Sequence, residues 1–455
     1  MKIALVHDSF TQLGGAERVV DALHELFPEA PVFTLVFDPK FREKYKNWDI
    51  RTSGLQTLYL QLGKLQYLLP LIPWGVDNLD FTGYDVVISS SSSWAKNIRV
   101  PKNCAHICYC HTPTRFLWSE PDYVNQEVPM LIRPLVKFFL GHMKKWDYKG
   151  AQRVTKFIAN SKEVQARIKK YYGRDSTIVY PFIDTGFWHP VQSIPLLSKE
   201  GLGEVMLDDE AISFSSRRHS EGVQPALRRL DISQNDASRG RPTEESQNDD
   251  EEIPRPLDAF RPQDDAVKGG FFLLAGRLQA HKQNDLIIEI FNDLKIPLHV
   301  VGTGRQESYL RSIAKPNISF LGHISDERLR EEYSGAKALI YPQLEDFGLM
   351  PLEAAACGTA TLALGRGGAL ETIVPGVTGE FFGNDLIADG SVARPFMGWS
   401  QNKTADESAR YKSQIKSLLI SWNPQKYSVE NLRAQAEKFS KEKFKQQILE
   451  LVNLK

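Results

Sequence analysis

MKIALVHDSFTQLGGAERVVDALHELF, residues 1–27, decides the fold class. Ile3 to Val6 is an all-apolar run, the pattern of a strand buried on both faces of a parallel sheet. A polar loop carrying Gly14 and Gly15 follows. AERVVDALHELF then sets Val19, Val20, Leu23, Leu26 and Phe27 at helical spacing. Strand, glycine loop and helix in that order open a doubly wound α/β domain.

The pattern recurs downstream. Ala30 to Val36, Asp85 to Ser89, Ala105 to Cys110, Lys156 to Asn160 and Thr177 to Tyr180 read as strands. SKEVQARIKKYY reads as a helix with Ser161 as N-cap, because a serine oxygen can take an orphan amide of the first turn. Composition changes at about Val191. From there to Lys268 the chain is rich in Ser, Asp, Glu, Arg and Pro and nearly free of aromatics. Such a stretch lacks the apolar surface to offset the entropy of ordering, so it is expected to be a disordered acidic insertion. Between domains its length is tolerable, since loop-closure cost grows slowly.

At Gly269 the alternation resumes. Phe271 to Ala275, Leu298 to Val301, Ile318 to Leu321, Ala338 to Tyr341 and Thr361 to Ala363 read as strands, and Asn284 to Leu294, Asp326 to Tyr333 and Leu349 to Ala356 as helices. Val429 to Val452 carries an apolar stripe and reads as one helix on a domain surface, packing back on the N-terminal domain. The expected organisation is α/β: two Rossmann-like domains, 1–190 and 269–455, facing across a cleft, with the insertion 191–268 between them. Sheets of this kind bind ligands at the carboxyl ends of their strands.

Bulk composition narrows the function. The 455 residues suit two domains. Lys+Arg and Asp+Glu are both 56, so overall charge gives no reason to expect nucleic acid. Three of the four cysteines (Cys104, Cys108, Cys110, Cys357) lie within a seven-residue span, which is not a secreted disulfide framework and points to a reducing compartment. No signal peptide is read at the N-terminus, and no apolar run reaches the ~18–20 residues of a spanning helix.

Five segments could carry chemistry. In YPQLEDFGLMPLEAAACG, 341–358, a strand ends, a loop holds Glu345, Asp346, Phe347 and Gly348, and a helix begins near Leu349. Free amides at a helix start attract anions, Gly348 permits close approach, and Glu345 and Glu353 could grip sugar and ribose hydroxyls. The plain alternative is a capped helix with two exposed glutamates, but GLMPLEAAACG is too apolar for an exposed helix. In AGRLQAHKQNDLII, Arg277 and Lys282 follow a strand; a forked cation and a point charge suit a diphosphate and the charge building on a leaving nucleotide, against the reading of a solvated basic loop. In ICYCHTPTRFLWS, His111 directly follows a strand and would face the cleft; alternatively it is a core or surface histidine. Zinc at Cys108, Cys110 and His111 lacks a second ligand pair, so reduced buried thiols fit better. Gly14-Gly15-Ala16-Glu17 lacks both the dinucleotide and the Walker spacing. GRGGALETI, 365–373, offers glycines before a helix start, with Glu371 inside.

Taken together these segments resemble family 4 of the retaining glycosyltransferases, the GT-B fold, over most of the chain outside 191–268. Glu345 and Glu353 in EDFGLMPLE match the family's E-x7-E motif, and Arg277 and Lys282 its basic pair. GGAER, HTPTRFLW, IANSKEV and VYPFID look like their counterparts. Gln279 and Ala280, ahead of His281 and Lys282, depart from the usual loop. The resemblance implies a nucleotide-sugar donor held by Gly14, Gly15, Arg277, Lys282, Phe347, Gly348, Leu349 and Glu353, with Glu345 on the donor sugar and His111 beside sugar and acceptor as the catalytic pair. It implies no cofactor and no metal, the basic pair taking the metal's place, and front-face displacement with retention. EDFG and GRGGALETI look most like members that use GDP-mannose in surface polysaccharide synthesis; UDP-sugar users share the same anion-binding parts.

Residues 55–74 are strongly apolar, and residues 130–153 mix Leu, Phe and Trp with Lys and Arg. They read either as core helices with snorkelling lysines or as a surface for an anionic membrane. The second reading suits a glycan or polyprenyl-linked acceptor and a cytoplasmic enzyme peripheral on the inner face of the membrane. Competing functions are a nucleotide-sugar epimerase or hydrolase on the same architecture, an inactive binding subunit, and a nicotinamide enzyme, which the missing dinucleotide fingerprint disfavours.

Overall fold

The computed structural model describes residues 1–118, 133–191, 270–383 and 405–453. The insertion expected over 191–268 lies, apart from Val191, outside the described residues, as does the start of the 130–153 stretch.

Among the described residues the strands form two sheets, parallel throughout. The first takes β1 (Ile3–His7), β2 (Val32–Thr34), β3 (Ile50–Thr52), β4 (Val86–Ser91), β5 (Ala105–Cys110), β6 (Lys156–Ala159) and β7 (Ser176–Ile178), in the order β3-β2-β1-β4-β5-β6-β7. The second takes β8 (Phe272–Ala275), β9 (Leu298–Val301), β10 (Ile318–Gly322), β11 (Leu339–Tyr341), β12 (Thr361–Leu364) and β13 (Gly379–Phe382), in the order β10-β9-β8-β11-β12-β13. Apolar runs fall on the central strands because both faces there are covered. β1, for example, lies between β2 and β4 with Leu5 opposite Val32 and Ile88.

Helices cover both sheets. In the N-terminal half they are α1 (Gly15–Leu26), α2 (Gln56–Leu62), α3 (Ile72–Asp77), α4 (Arg115–Trp118), α5 (Arg133–Arg153) and α6 (Lys162–Tyr172). In the C-terminal half they are α7 (Asn284–Leu294), α8 (Glu307–Ile313), α9 (Asp326–Gly335), α10 (Met350–Ala356), α11 (Ala369–Thr372), α12 (Ala405–Ile420), α13 (Val429–Glu437) and α14 (Lys441–Asn453). The Ser161 side chain accepts from the Val164 amide at 3.1 Å and so caps α6.

The single helix expected over 429–452 is two. Lys438 to Ser440 break it, and the Ile183 amide bonds the Phe439 carbonyl at 3.0 Å there. The break lets each piece bury its own stripe. Leu432 and Ala436 of α13 join the core around Leu352 and Ala355 of α10, while Phe444, Ile448 and Val452 of α14 join Leu5, Val19, Val20 and Leu23 of the N-terminal half. The chain passes between the halves at neighbouring points. Phe182 belongs to the N-terminal core and Ile183 to the C-terminal one; Phe439 belongs to the C-terminal core and Phe444 to the N-terminal one. Residues 183–191 thus already pack on the C-terminal half before the undescribed stretch begins.

Residues 56–77 are not a continuous helix. α2, a 3-10 turn at Leu65–Leu71 and α3 share the segment, with Tyr59, Leu68, Ile72 and Val76 buried. Leu60, Leu62, Tyr67, Leu71 and Trp74 remain exposed. Among the described residues no helix is long and apolar enough to cross a membrane.

Candidate active site

Each sheet has one point where the strand order reverses, β1/β4 in the first and β8/β11 in the second. Crevices open beyond the carboxyl ends of strands at such points. The sequence-predicted residues cluster there.

On the N-terminal side, β1 ends at His7 and Asp8. The Asp8 carboxylate accepts the amides of Ser92, Ser93, Trp94 and Ala95 at 2.5–2.9 Å, fixing the turn after β4. His7 Nε2 lies 3.4 Å from Glu17, which stiffens the loop of Gly14 and Gly15. His111 follows β5, and its Nε2 shares a 2.8 Å hydrogen bond with Ser90 Oγ. Burial first, then the neighbouring His7, push His111 down to about 4, with Asp8 and Asp346 opposing. It is therefore a neutral hydrogen-bonding group at pH 7.

The loop after His111 is held from behind by a buried network. Asp147 of α5 accepts from Lys96 Nζ at 2.5 Å, Thr114 Oγ1 at 3.0 Å, Trp118 Nε1 at 2.8 Å and Tyr172 OH at 2.8 Å. Lys96 and Asp147 are both fully buried, so each ion depends on the other. Cys108 and Cys110 share one face of β5 and pack on Ala151, Val154 and Phe157. Among the described residues no group of three or more potential ligands is placed to hold a metal ion.

On the C-terminal side, Arg277 and Lys282 lie in the loop after β8. The Lys282 ammonium pairs with the Glu345 carboxylate from the loop after β11. Burial first, then the guanidiniums of Arg115 and Arg277, push Lys282 down to about 8, with Asp346 opposing. Glu353 sits in α10, a seven-residue helix whose dipole is correspondingly small. Its carboxylate accepts from Arg18 Nη1 at 2.9 Å and from Tyr333 OH at 3.3 Å. Burial raises it above the usual glutamate range, and Arg18 offsets only part of that shift. Gly348 has φ +84°, and a Cβ there would lie 2.5 Å from the Tyr341 hydroxyl, so glycine is required twice over.

Phe347 is placed differently from the expectation. Its side chain is buried and packs on Tyr180 and Phe439, so only its backbone can face a ligand. Glu371 is also committed to structure. Its carboxylate accepts the Lys162 amide at 2.9 and 3.0 Å, a cap for α6 supplied by the other half.

The two groups meet. A Cβ on Gly15 would stand 3.6 Å from Leu349 Cδ1. Arg18 reaches Glu353, and Arg115 reaches Asp346 at 2.6 Å. His111, Glu345, Glu353, Arg277, Lys282 and the glycine loop thus come close together where the two halves meet. Arg18, Arg115, Arg167 and Asp346 make ion pairs between the halves and carry no sequence signal as a set. Each has a visible place in GGAER, HTPTR, the α6 segment or EDFG, but the pairing does not.

Comparison with known proteins agrees with this architecture. Residues 13–187 match the family described as Glycosyltransferase Family 4, and residues 258–413 the one described as Glycosyl transferases group 1. These matches cover both halves, and the chain belongs to the family 4 glycosyltransferases of the two-domain GT-B fold. A GDP-mannose-dependent monoacylated alpha-(1-6)-phosphatidylinositol monomannoside mannosyltransferase of Corynebacterium glutamicum is 34% identical over 105 residues, 21% of this chain and 26% of that protein. An uncharacterised glycosyltransferase of Methanocaldococcus jannaschii is 29% identical over 117 residues, 24% of this chain and 30% of that protein. The matched regions thus span under a third of either relative. Among solved structures, Anabaena HepE in complex with UDP has a TM-score of 0.60 at 14% identity, covering 99% of both chains. Sucrose-phosphate synthase from Thermosynechococcus elongatus has a TM-score of 0.61 at 15% identity, covering 99% of this chain and 98% of that one. At such identities the likeness concerns the fold.

Proposed function

We propose that this glycosyltransferase moves a hexose, mannose, from GDP-mannose with retention of configuration to a glycan or polyprenyl-linked acceptor of a cell-surface polysaccharide. The observation that supports the reading is the pairing of Lys282 with Glu345 beside Arg277, with Asp346 near both Lys282 and His111. The mannose preference draws on the corynebacterial relative and on the EDFG and GRGGALETI segments.

In this mechanism Arg277 and Lys282 bind the diphosphate, and Glu353 turns from Arg18 toward the ribose hydroxyls. Glu345, released from Lys282 by the incoming phosphate, accepts hydrogen bonds from the sugar. Neutral His111 hydrogen-bonds the sugar or the arriving hydroxyl. The C1–phosphate oxygen bond breaks as the acceptor oxygen bonds C1 from the same face, and a leaving phosphate oxygen takes the acceptor proton. The two cations stabilise the charge that builds on the leaving group, so no metal and no cofactor is required. The exposed apolar residues of 60–74 would rest on the inner face of the membrane that holds the acceptor.

The test is a thermal-shift panel of GDP-mannose, UDP-glucose, UDP-galactose and UDP-GlcNAc on wild type and on Arg277→Ala/Lys282→Ala. A donor at a hundred times its Kd stabilises the fold by about 2.7 kcal/mol. GDP-mannose is expected to raise Tm in wild type and not in the double variant. A UDP-sugar doing so instead corrects the donor, and silence across the panel refutes the donor site. Turnover unchanged by EDTA is expected, as is an α-linked product, by NMR, from the α-linked donor.

A further inference from the structure

Asp346 is nearly buried, and it is over-partnered. Arg167 Nη1 meets its Oδ1 at 2.6 Å and Arg115 Nη2 meets its Oδ2 at 2.6 Å. One cation would neutralise it. The two arginines are not equivalent. Arg167 is 18% exposed and braced by Glu163 at 3.0 Å within α6, whereas Arg115 is 40% exposed at the start of α4. Arg115 also has like charge close by, because Asp346 adjoins Glu345 in the chain and Glu345 holds Lys282. Around the neighbouring Glu345 and Asp346 are therefore gathered Arg115, Arg277 and Lys282, with Arg167 shared between Asp346 and Glu163. The downward shift of Lys282, caused first by burial and next by the charge of Arg115, is the electrostatic sign of that crowding. A diphosphate ester, with about two negative charges, would relieve it.

We propose that Arg115 is a third cation for the donor's diphosphate, delivered across the cleft from the N-terminal half, and that Asp346 is its resting partner. When the diphosphate enters, Arg115 passes from carboxylate to phosphate. Arg167 stays, so Asp346 is never left as an unpaired buried charge, a strongly disfavoured state. Two arginines on one carboxylate make that handover affordable. The inference rests on the donor reading above, and it differs from a fixed strut between the halves. A strut weakens whenever either end is cut, whereas a handover responds in opposite directions to loss of Arg115 and loss of Asp346.

The experiment is calorimetric titration of the full chain with GDP and with GMP, or with UDP and UMP if uridine proves to be the base. Wild type, Arg115→Ala and Asp346→Asn are compared, each with its unliganded Tm. Arg115→Ala should weaken GDP about tenfold while changing GMP little, since one charge-assisted phosphate contact is lost. Asp346→Asn should tighten GDP several-fold, because Arg115 no longer has a competing anion. Both variants shifting GDP the same way, or Arg115→Ala leaving the GDP-to-GMP ratio unchanged, overturns the proposal in favour of a strut. If Asp346→Asn does not fold, that ratio in Arg115→Ala decides alone. Wild type binding neither diphosphate would remove the donor reading and this inference together. Binding that depends on Arg277 and Lys282 but not on Arg115 removes only the inference.

Discussion

Lys282 is the side chain whose charge state most directly ties the cleft to pH. Facing it are Arg115 and Arg277, which oppose its proton, and Glu345 and Asp346, which favour it. Its folded-state value of about 8 lies below the ordinary 10.5, so the empty site gives up the proton as pH rises through about 8. A bound diphosphate favours the charged form. Donor affinity should therefore fall as pH rises above about 8, and binding there should take up a proton. Titrations in buffers of different ionisation enthalpy would detect the uptake, and Lys282→Met should lack it. His111 behaves otherwise. Held near 4, it should contribute no limb to kcat/KM between about pH 5.5 and 7.5. The residue scale is also where sequence reading was weakest. Glu345, Glu353, Arg277 and Lys282 stand out because their types and spacings match a chemistry. Asp346 to Arg167, 179 positions apart, and Arg18 to Glu353, 335 apart, are set by how two sheets face each other, which no local pattern encodes.

At the scale of elements, legibility followed burial. Leu298–Val301 and Ala105–Cys110 were readable to the residue because runs of apolar side chains there are covered on both faces. The α6 boundary was readable because Ser161 caps it. Ile50–Thr52 was not read, since this edge strand leaves Arg51 and Thr52 exposed and carries no periodic signal. The segment 56–77 was ambiguous for a physical reason. Its apolar side chains serve two masters, Tyr59, Leu68, Ile72 and Val76 the core, and Leu60, Leu62, Tyr67, Leu71 and Trp74 the outside. The outer set predicts adsorption to a bilayer. Wild type should co-sediment with vesicles containing anionic lipid, and Leu60→Ser/Tyr67→Ser/Trp74→Ser should lose most of that binding while keeping its Tm within a few degrees. Equal sedimentation of both proteins would leave this face without a membrane role.

At the scale of the whole molecule, α14 belongs by sequence to one half and by packing to the other. Phe444 is 2% exposed among Val19, Val20 and Leu23, and Lys441 and Lys445 both pair with Glu25 of α1. Phe444→Ala should cost about 3–5 kcal/mol, the range for a large buried aromatic. Guanidinium unfolding measures it, and a change under about 1 kcal/mol would mean that the helix is only loosely attached. The exposed ion pairs at Glu25 should matter far less.

The neighbouring passages at Phe182–Ile183 and Phe439–Phe444, tied by the Ile183–Phe439 hydrogen bond, join the halves at adjacent points. A door hung on two adjacent pins swings about the line through them and resists twisting. Here that line lies beside Phe347, whose ring packs on both Tyr180 and Phe439. Any swing of one half against the other about that line would therefore pull on the same loop that carries Glu345 and Asp346.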